Sequence, residues 1–218
     1  MLQIAEDVRA FISQVVEKSS GYDVYLGGGY LRDLYANKLN GTSIKSKDVD
    51  IFLVPCSEWA GGREIPTIPK TYISYHTPSS KIPDMKQRGI DSVIGLYKRG
   101  LSTPDIQFII YEKHITMDEL AADMDCNINQ IMYDPLSNSY SYTKDFEEGH
   151  SNKEISLHHN FNKVRQFLRL RRMKSKFPQY EVKFNSYMTQ QVFVEVSELQ
   201  EVLELKEKRG VVGSFIEE

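Results

Sequence analysis

Cysteine is scarce: Cys56 and Cys126 are the only two in 218 residues, and they form no C-x-x-C pair. That argues against a disulfide framework or a cysteine-built zinc site and suits a reducing, cytoplasmic setting. Long apolar runs are missing too. None approaches the roughly 20 residues of a membrane span, and the N-terminus lacks the basic-then-apolar order of a signal peptide. No membrane partner is therefore expected. Neither charge sign dominates, with a net charge of −3. The average surface is then no polyanion binder, and contact with nucleic acid must come from a local patch. Internal repeats and low-complexity tracts are absent. What remains is ordinary globular composition, 40% hydrophobic and 26% charged, in a length that permits one large domain or one domain with an appendage. Nothing in the sequence fixes the oligomeric state.

The chain is organised around Asp23 to Val54, DVYLGGGYLRDLYANKLNGTSIKSKDVDIFLV. Asp23 to Leu26 reads as a short strand with Val24 and Leu26 on one face. Gly27, Gly28 and Gly29 follow as a turn with no Cβ to block a ligand. From Tyr30 the spacing of Tyr30, Leu31, Leu34 and Tyr35 is helical. Glycines between a strand and a helix N-terminus make a candidate phosphate cradle, because free N–H groups and the positive dipole end meet there. Lys47 to Val54 reads as a second strand. Alternation puts Asp48 and Asp50 on one face and Val49 on the other. Two neighbouring carboxylates suit a hard divalent cation such as Mg²⁺. Each motif alone has a blander reading, a plain turn or a solvated strand edge. Their order, strand, glycine turn, helix, loop, strand, is far more specific.

GGGYLRD followed by KDVDIF resembles the polymerase β nucleotidyltransferase superfamily, closest to the head domain of CCA-adding enzymes and bacterial poly(A) polymerases. Gly28, Gly29, Arg32 and Asp33 match its GG-x-x-R-D helix start, and Asp48 and Asp50 its D-x-D strand. The resemblance implies an α+β fold with a mixed sheet, helices packed on it and a short helical C-terminal extension. It also implies Mg²⁺ (Mn²⁺ able to substitute) held by Asp48, Asp50 and a third acid on a later strand. Gly28, Gly29, Arg32 and Asp33 would meet an NTP. The compact build is similar to small stand-alone members, including phage-encoded ones.

Leu2 to Lys18 is predicted to be an amphipathic helix with Ile4, Val8, Phe11, Ile12, Val15 and Val16 on its apolar stripe. Leu39 to Ser46 is polar and expected to be a mobile connection; Asn40-Gly41-Thr42 in it reads only as a surface turn. Pro55 to Asp84 holds five prolines and two glycines, which excludes long regular elements. It reads as a lid carrying Trp59, Tyr72, Tyr75 or His76, or as a plain surface loop. Ser92 to Arg99 and Asp105 to Tyr111 predict a hairpin. Asp105 is the candidate third carboxylate, with a Thr-Pro-Asp turn as the alternative. Gln107 would share its face, and Lys98 and Arg99 could meet a triphosphate. Thr116 and Glu119 predict a capping box opening a helix that carries Asp123 to Pro135. There Asp125, Ile128, Asn129 and Asp134 resemble the CCA-adding R-R-D-x-T-I-N segment, which implies nucleotide contacts for Asp125 and Asn129. Asp123 and Met124 replace its two arginines.

Ser156 to Phe177 predicts a helix buried through Leu157, Phe161, Val164, Leu168 and Met173. Lys163, Arg165, Arg169, Arg171, Arg172, Lys174 and Lys176 give it seven cations and no acid. In a net acidic chain that is a candidate polyanion contact, with Lys163, Arg165, Arg169 and Arg172 as its core, or else a solvated basic face. Phe161 and Asn162 stand where the CCA-adding family has the acids of its E-D-x-x-R base-selection motif. A last helix is expected near Ser197 to Lys208. The expected organisation is a nucleotidyltransferase domain over residues 1–150 and a helical extension over 151–218. The expected function is transfer of an NMP from an NTP to an acceptor hydroxyl, foremost an RNA 3′ end. The alternatives are a protein or small-molecule hydroxyl, or a catalytically degenerate nucleotide- or RNA-binding protein.

Overall fold

The computed structural model describes residues 2–57, 61–66, 72–81, 83–97, 105–158 and 163–184, with 189 and 194; the side chains of 83, 84 and 163–165 lie outside that description. Helix α1 (Glu6–Lys18) leads into β1 (Tyr22–Gly27), α2 (Gly29–Asn40) and β2 (Asp48–Pro55). Next come β3 (Ile73–Pro78), α3 (Pro83–Gln87), β4 (Ile90–Tyr97), β5 (Asp105–Tyr111) and α4 (Met117–Ala122). The chain continues through β6 (Ile131–Asp134), β7 (Ser139–Tyr142), α5 (Lys144–Asn152), β8 (Glu154–Ile155), α6 (Lys163–Lys176) and β9 (Glu181–Val182). Seven strands form one mixed sheet in the order β3-β4-β5-β2-β1-β6-β7. Among the described residues of this sheet, only β2 and β5 pair in parallel and the other neighbours are antiparallel; β8 and β9 form a separate parallel pair. This is an α+β fold with helices packed on a mixed sheet, as the sequence implies.

Alternating side chains give the sheet two different faces. Val24, Leu26, Val49, Ile51, Leu53, Ile106, Phe108 and Ile110 pack under Val8, Ile12 and Val15 of α1 and Leu31 of α2. On the opposite face Phe52, Val54, Val93 and Tyr111 meet Leu120, Ala121 and Met124. Strand β2 shows the consequence: its first residues alternate between half-buried and buried, and from Ile51 onward all are buried. Its first turn of pleat is therefore covered on one face only, and Asp48 and Asp50 occupy the open one. A third core joins Ala36 of α2, Cys126 and Ile128 to Phe167, Leu170, Met173, Phe177 and Tyr180. The residues on either side of position 150 thus share apolar packing.

Several expectations need correction. The helix opened by the Thr116 capping box is real, with both reciprocal hydrogen bonds present, but it ends at Ala122. Asp123 to Pro135 is not α-helical and keeps only a single 3₁₀ turn, Asn127–Asn129. Cys126 bridges Leu157, the Asn127 side chain accepts from the Ser156 N–H (2.9 Å), and Ile131–Asp134 pairs with β1 and β7. Asn side chains that bond the backbone compete with helix, and here tertiary partners reward the competition. The proline-rich segment contains a six-residue strand, β3, on the sheet edge, where a proline at the strand end is tolerated. Leu39 to Ser46 is tied down: Asn37 accepts from the Ile44 N–H (2.7 Å) and donates to its carbonyl (2.9 Å). Leu157 lies in an extended bridge rather than a helix. The buried face of α6 is Phe167, Leu170 and Met173, with Leu168 only half-buried. Trp59, Lys98, Arg99, Phe161, Asn162 and Ser197 to Lys208 fall outside the described residues, as does the side chain of Val164.

His150 is 1% exposed. Its Nδ1 lies 2.8 Å from the Tyr180 hydroxyl, and the Tyr35, Phe146 and Tyr180 rings surround it. Burial pushes its pKa down to about 4, against a backbone interaction with Ile128, and the Arg32 charge adds to the depression. The unfolded chain binds this proton near pH 6.5 and the folded chain only near 4, so stability is complete above 6.5 and falls as pH drops toward 4. The loss across that window is about 3 kcal/mol. Urea denaturation at pH 7.5 and 4.5 should register it, and His150→Phe should flatten this component of the slope.

Candidate active site

Strand β1 ends at Gly27, and α2 starts at Gly29 on Gly28, whose φ of 66° places it in the left-handed region that favours glycine. As a glycine, Gly28 offers no side chain to cap this N-terminus. The first intrahelical bond runs from the Arg32 N–H to the Gly28 carbonyl (3.1 Å). The N–H groups of Gly29, Tyr30 and Leu31 precede that bond and have no partner within the helix. Gly27 is the register partner of Asp50, and a Cβ on Gly28 would come 2.9 Å from the Asp50 carboxylate. The glycine turn and the acid therefore occupy one small space.

The parallel pairing of β2 with β5 sets Asp48 beside Asp105 and Asp50 beside Gln107. Register partners project to the same face, so the three acids and Gln107 share it. Asp50 is half-buried at the foot of the glycine turn. Burial pushes its carboxyl pKa up to about 7; the Asp48 charge adds to this, and Arg169 and Arg32 oppose it. A desolvated oxygen donor beside a second acid is a site whose ionised form gains most from a divalent cation. Among the described residues, no three His, Cys, Asp or Glu side chains are gathered closely enough to hold a metal by themselves. Mg²⁺ commonly uses one or two carboxylates and completes its shell with water and phosphate oxygens, so Asp48 and Asp50 are the pair that could hold one.

Arg32 and Asp33 turn inward. Arg32 is 5% exposed and Asp33 1%. Arg32 Nη2 lies 2.7 Å from Asp33 Oδ1, its Nη1 donates to Asn129 Oδ1 (2.9 Å), and its guanidinium sits over the Phe177 ring. The other Asp33 oxygen accepts from Ser46 (2.8 Å) and from Lys176. Asn129 also donates to Asp125 (3.3 Å), which forms a close ion pair with Arg169 at 2.6 Å. Asp33, Arg32, Asn129, Asp125 and Arg169 thus make one polar chain from α2 through the Asn127–Asn129 turn to α6. Asp123, where the resembling family has an arginine, pairs with Arg88 at 2.8 Å. The Arg169 charge also opposes the rise in the Asp50 pKa. Arg172 is exposed on the same helix; Lys163 and Arg165 lie on α6 with side chains outside the description.

Sequence reasoning missed Ser46, Lys176 and Met173 as partners of the Arg32–Asp33 pair, since nothing local links α2 to α6. It also missed Tyr97. This residue stacks on Tyr75 with centroids 5.2 Å apart and planes 19° from parallel. The Tyr75 hydroxyl pKa is raised, first by its hydrogen bond with Tyr97, then by burial and by the Asp105 and Asp48 charges. The Arg32–Asp33 knot carries a prediction. Asp33→Ala strands two cations near the core and should cost about 3 kcal/mol in urea denaturation. Unchanged stability with weakened NTP affinity would instead assign Asp33 to a ligand.

No protein-family model matches this sequence, and neither does any curated protein. Solved structures do resemble the fold. A CCA-adding enzyme in its apo form superposes with a TM-score of 0.52 at 13% identity, over 92% of this chain and 45% of that one. A CCA-adding enzyme with CTP gives 0.53 at 13% identity, over 92% and 45%. The Thermotoga maritima CCA-adding enzyme complexed with tRNA gives 0.53 at 14%, over 92% and 44%. The chain spans less than half the length of these neighbours, and at such identities the likeness shows the fold: an α+β architecture of the kind seen in CCA-adding enzymes.

Proposed function

We infer that this chain is a metal-dependent nucleotidyltransferase that moves an NMP from an NTP to an acceptor hydroxyl, most suitably an RNA 3′ end. One observation carries the reading. The N-terminus of α2, opened by Gly28, faces Asp50 at close range, while Asp48 and Asp105 stand side by side on the same open face. A grip for phosphates thus lies directly against a set of hard oxygen donors.

The N–H groups after Gly28 that have no partner within the helix bind the tail of the triphosphate, and the positive end of α2 adds to their pull. Asp48 and Asp50 would hold Mg²⁺, and Asp105, the neighbour of Asp48 across β5, would stand on the acceptor side. When bound, the ion supplies charge neutralisation at the α-phosphate and for departing pyrophosphate. Asp105 orients the attacking hydroxyl and receives its proton. A bond forms between that oxygen and the α-phosphorus, and the bond to the bridging oxygen of pyrophosphate breaks. The Asp125–Asn129–Arg169 chain backs the site and keeps Arg169 near Asp50. The structural neighbours that contain CTP or tRNA favour a nucleotide donor and an RNA acceptor, and the cations of α6 offer the acceptor's backbone a local patch.

Incubation of the full chain with each α-labelled NTP, Mg²⁺ and RNA bearing a free 3′ end tests this reading. Label should enter the RNA, and Asp48→Ala should lower the rate at least about 10³-fold with an unchanged far-ultraviolet circular dichroism spectrum. Near-normal transfer by the folded mutant, or label on no acceptor under any NTP, would sink the reading. Label on protein would redirect it to a protein hydroxyl.

A further inference from the structure

The row of the sheet that begins at Gly27 continues beyond the acids. Gly27 is opposite Asp50, Asp50 opposite Gln107, Gln107 opposite Gly95, and Gly95 opposite Tyr75. The neighbouring row runs from Asp48 to Asp105, and continuing the β4–β5 register brings Tyr97 across from Asp105. All these positions share the open face. On it, the Tyr75 ring lies flat across Gly95; a Cβ at Gly95 would overlap the ring, so only glycine leaves it this seat. Tyr97 stacks on the same ring. The pair nevertheless stays open to solvent, with Tyr75 40% and Tyr97 42% exposed.

Two large aromatic rings left exposed beside carboxylates are not explained by folding. The glycine turn sits on the β1 side of the acids, and the tyrosines sit on the other side, where β4 runs two strand spacings, about 10 Å, from β2. We propose that Tyr97 and Tyr75 form a stacking platform for the 3′-terminal base of a single-stranded nucleic-acid acceptor, seating its hydroxyl at Asp105. This rests on the nucleotidyl-transfer reading for the role of Asp105. The order across the sheet assigns the platform to the acceptor: a donor whose triphosphate tail is held at Gly28 has the acids between that tail and the tyrosines. Stacking tolerates any base, because each presents a π face. The platform therefore gives affinity for an end rather than for a sequence.

The test compares two short 5′-fluorescein RNAs, one complete and one lacking the base of its 3′-terminal nucleotide. Anisotropy is read with the full chain in Ca²⁺ buffer, alongside binding of a fluorescent ATP analogue and Mg²⁺-dependent transfer. Wild-type protein should bind the complete RNA about tenfold more tightly than the abasic one. Tyr97→Ala should abolish that difference without weakening abasic RNA or nucleotide binding, and Tyr97→Trp should retain it. Gly95→Ala, which evicts the Tyr75 ring, should reduce it. Equal affinity of wild-type protein for the two RNAs overturns the platform, and if transfer is intact the catalytic reading survives. Loss of nucleotide binding in Tyr97→Ala, or equal loss on both RNAs, also overturns it. Discrimination between the RNAs without any transfer supports the platform while removing the catalytic reading.

Discussion

The parallel pairing of β2 with β5 is the constraint on which the site depends. Every other strand contact in the main sheet is antiparallel. An antiparallel pair can be closed by a two-residue turn, but parallel neighbours need a long crossover. Between β2 and β5 the chain lays down β3, α3 and β4. The pairing brings the starts of two strands to one end of the sheet, so that Asp48 and Asp105, 57 positions apart in sequence, become direct neighbours. A slip of one residue would turn one of the strands' acids into the α1–α2 core and bring its apolar set to the open face. Val49, Ile51, Ile106 and Phe108, all buried, hold the register against that slip.

Charge at the site is balanced from outside the sheet. Asp48 and Asp50 repel one another, and the cations that oppose the effect at Asp50 are Arg169 of α6 and Arg32 of α2. Both are also engaged elsewhere, Arg169 with Asp125 and Arg32 with Asp33 and Asn129. Lys174 donates to the Pro178 carbonyl and Lys176 to Asp33. Several of the cations that make α6 look like a polyanion surface are therefore fastening the helix to α2 and to its own C-terminal turn. A buried pair such as Arg32–Asp33 need not add net stability over apolar packing, but breaking it leaves a charge stranded. The knot makes the placement of α6 hard to alter without disturbing the glycine helix.

What was legible in the sequence were features whose cause is local. Alternation in KDVDIFLV, three glycines at a strand-to-helix junction, the Thr116 capping box and the amphipathic spacing of α1 each fix structure with near neighbours. The opaque parts have distant causes. Asp125 to Asn129 leaves the helical path because Leu157 and Ser156, some 30 residues on, offer it hydrogen bonds. Strand β3 carries prolines nearby and forms only because β4 presents an edge to it. The buried face of α6 turns toward Ala36 and Ile128, and those contacts set its phase where helical spacing alone chose a different stripe. The likeness to a known family pointed Arg32 and Asp33 at a ligand, whereas both are buried and paired with each other, with Asn129 and with Lys176.

Gln107 shows how finely the open face is graded. It occupies the same row as Asp50 and is the register partner of that acid. An aspartate there would place a further carboxylate against one that burial already discourages from ionising. The amide keeps hydrogen-bonding capacity in the row without adding charge. Beyond it comes Gly95, which removes bulk altogether, and then the tyrosine ring that uses the vacated space. Along a single line of the sheet the surface thus passes from backbone donors at the glycine turn to acid, amide and aromatic ring. Strand register sets that order, and under the proposed function it would serve a phosphate tail, a reacting centre and a base in turn.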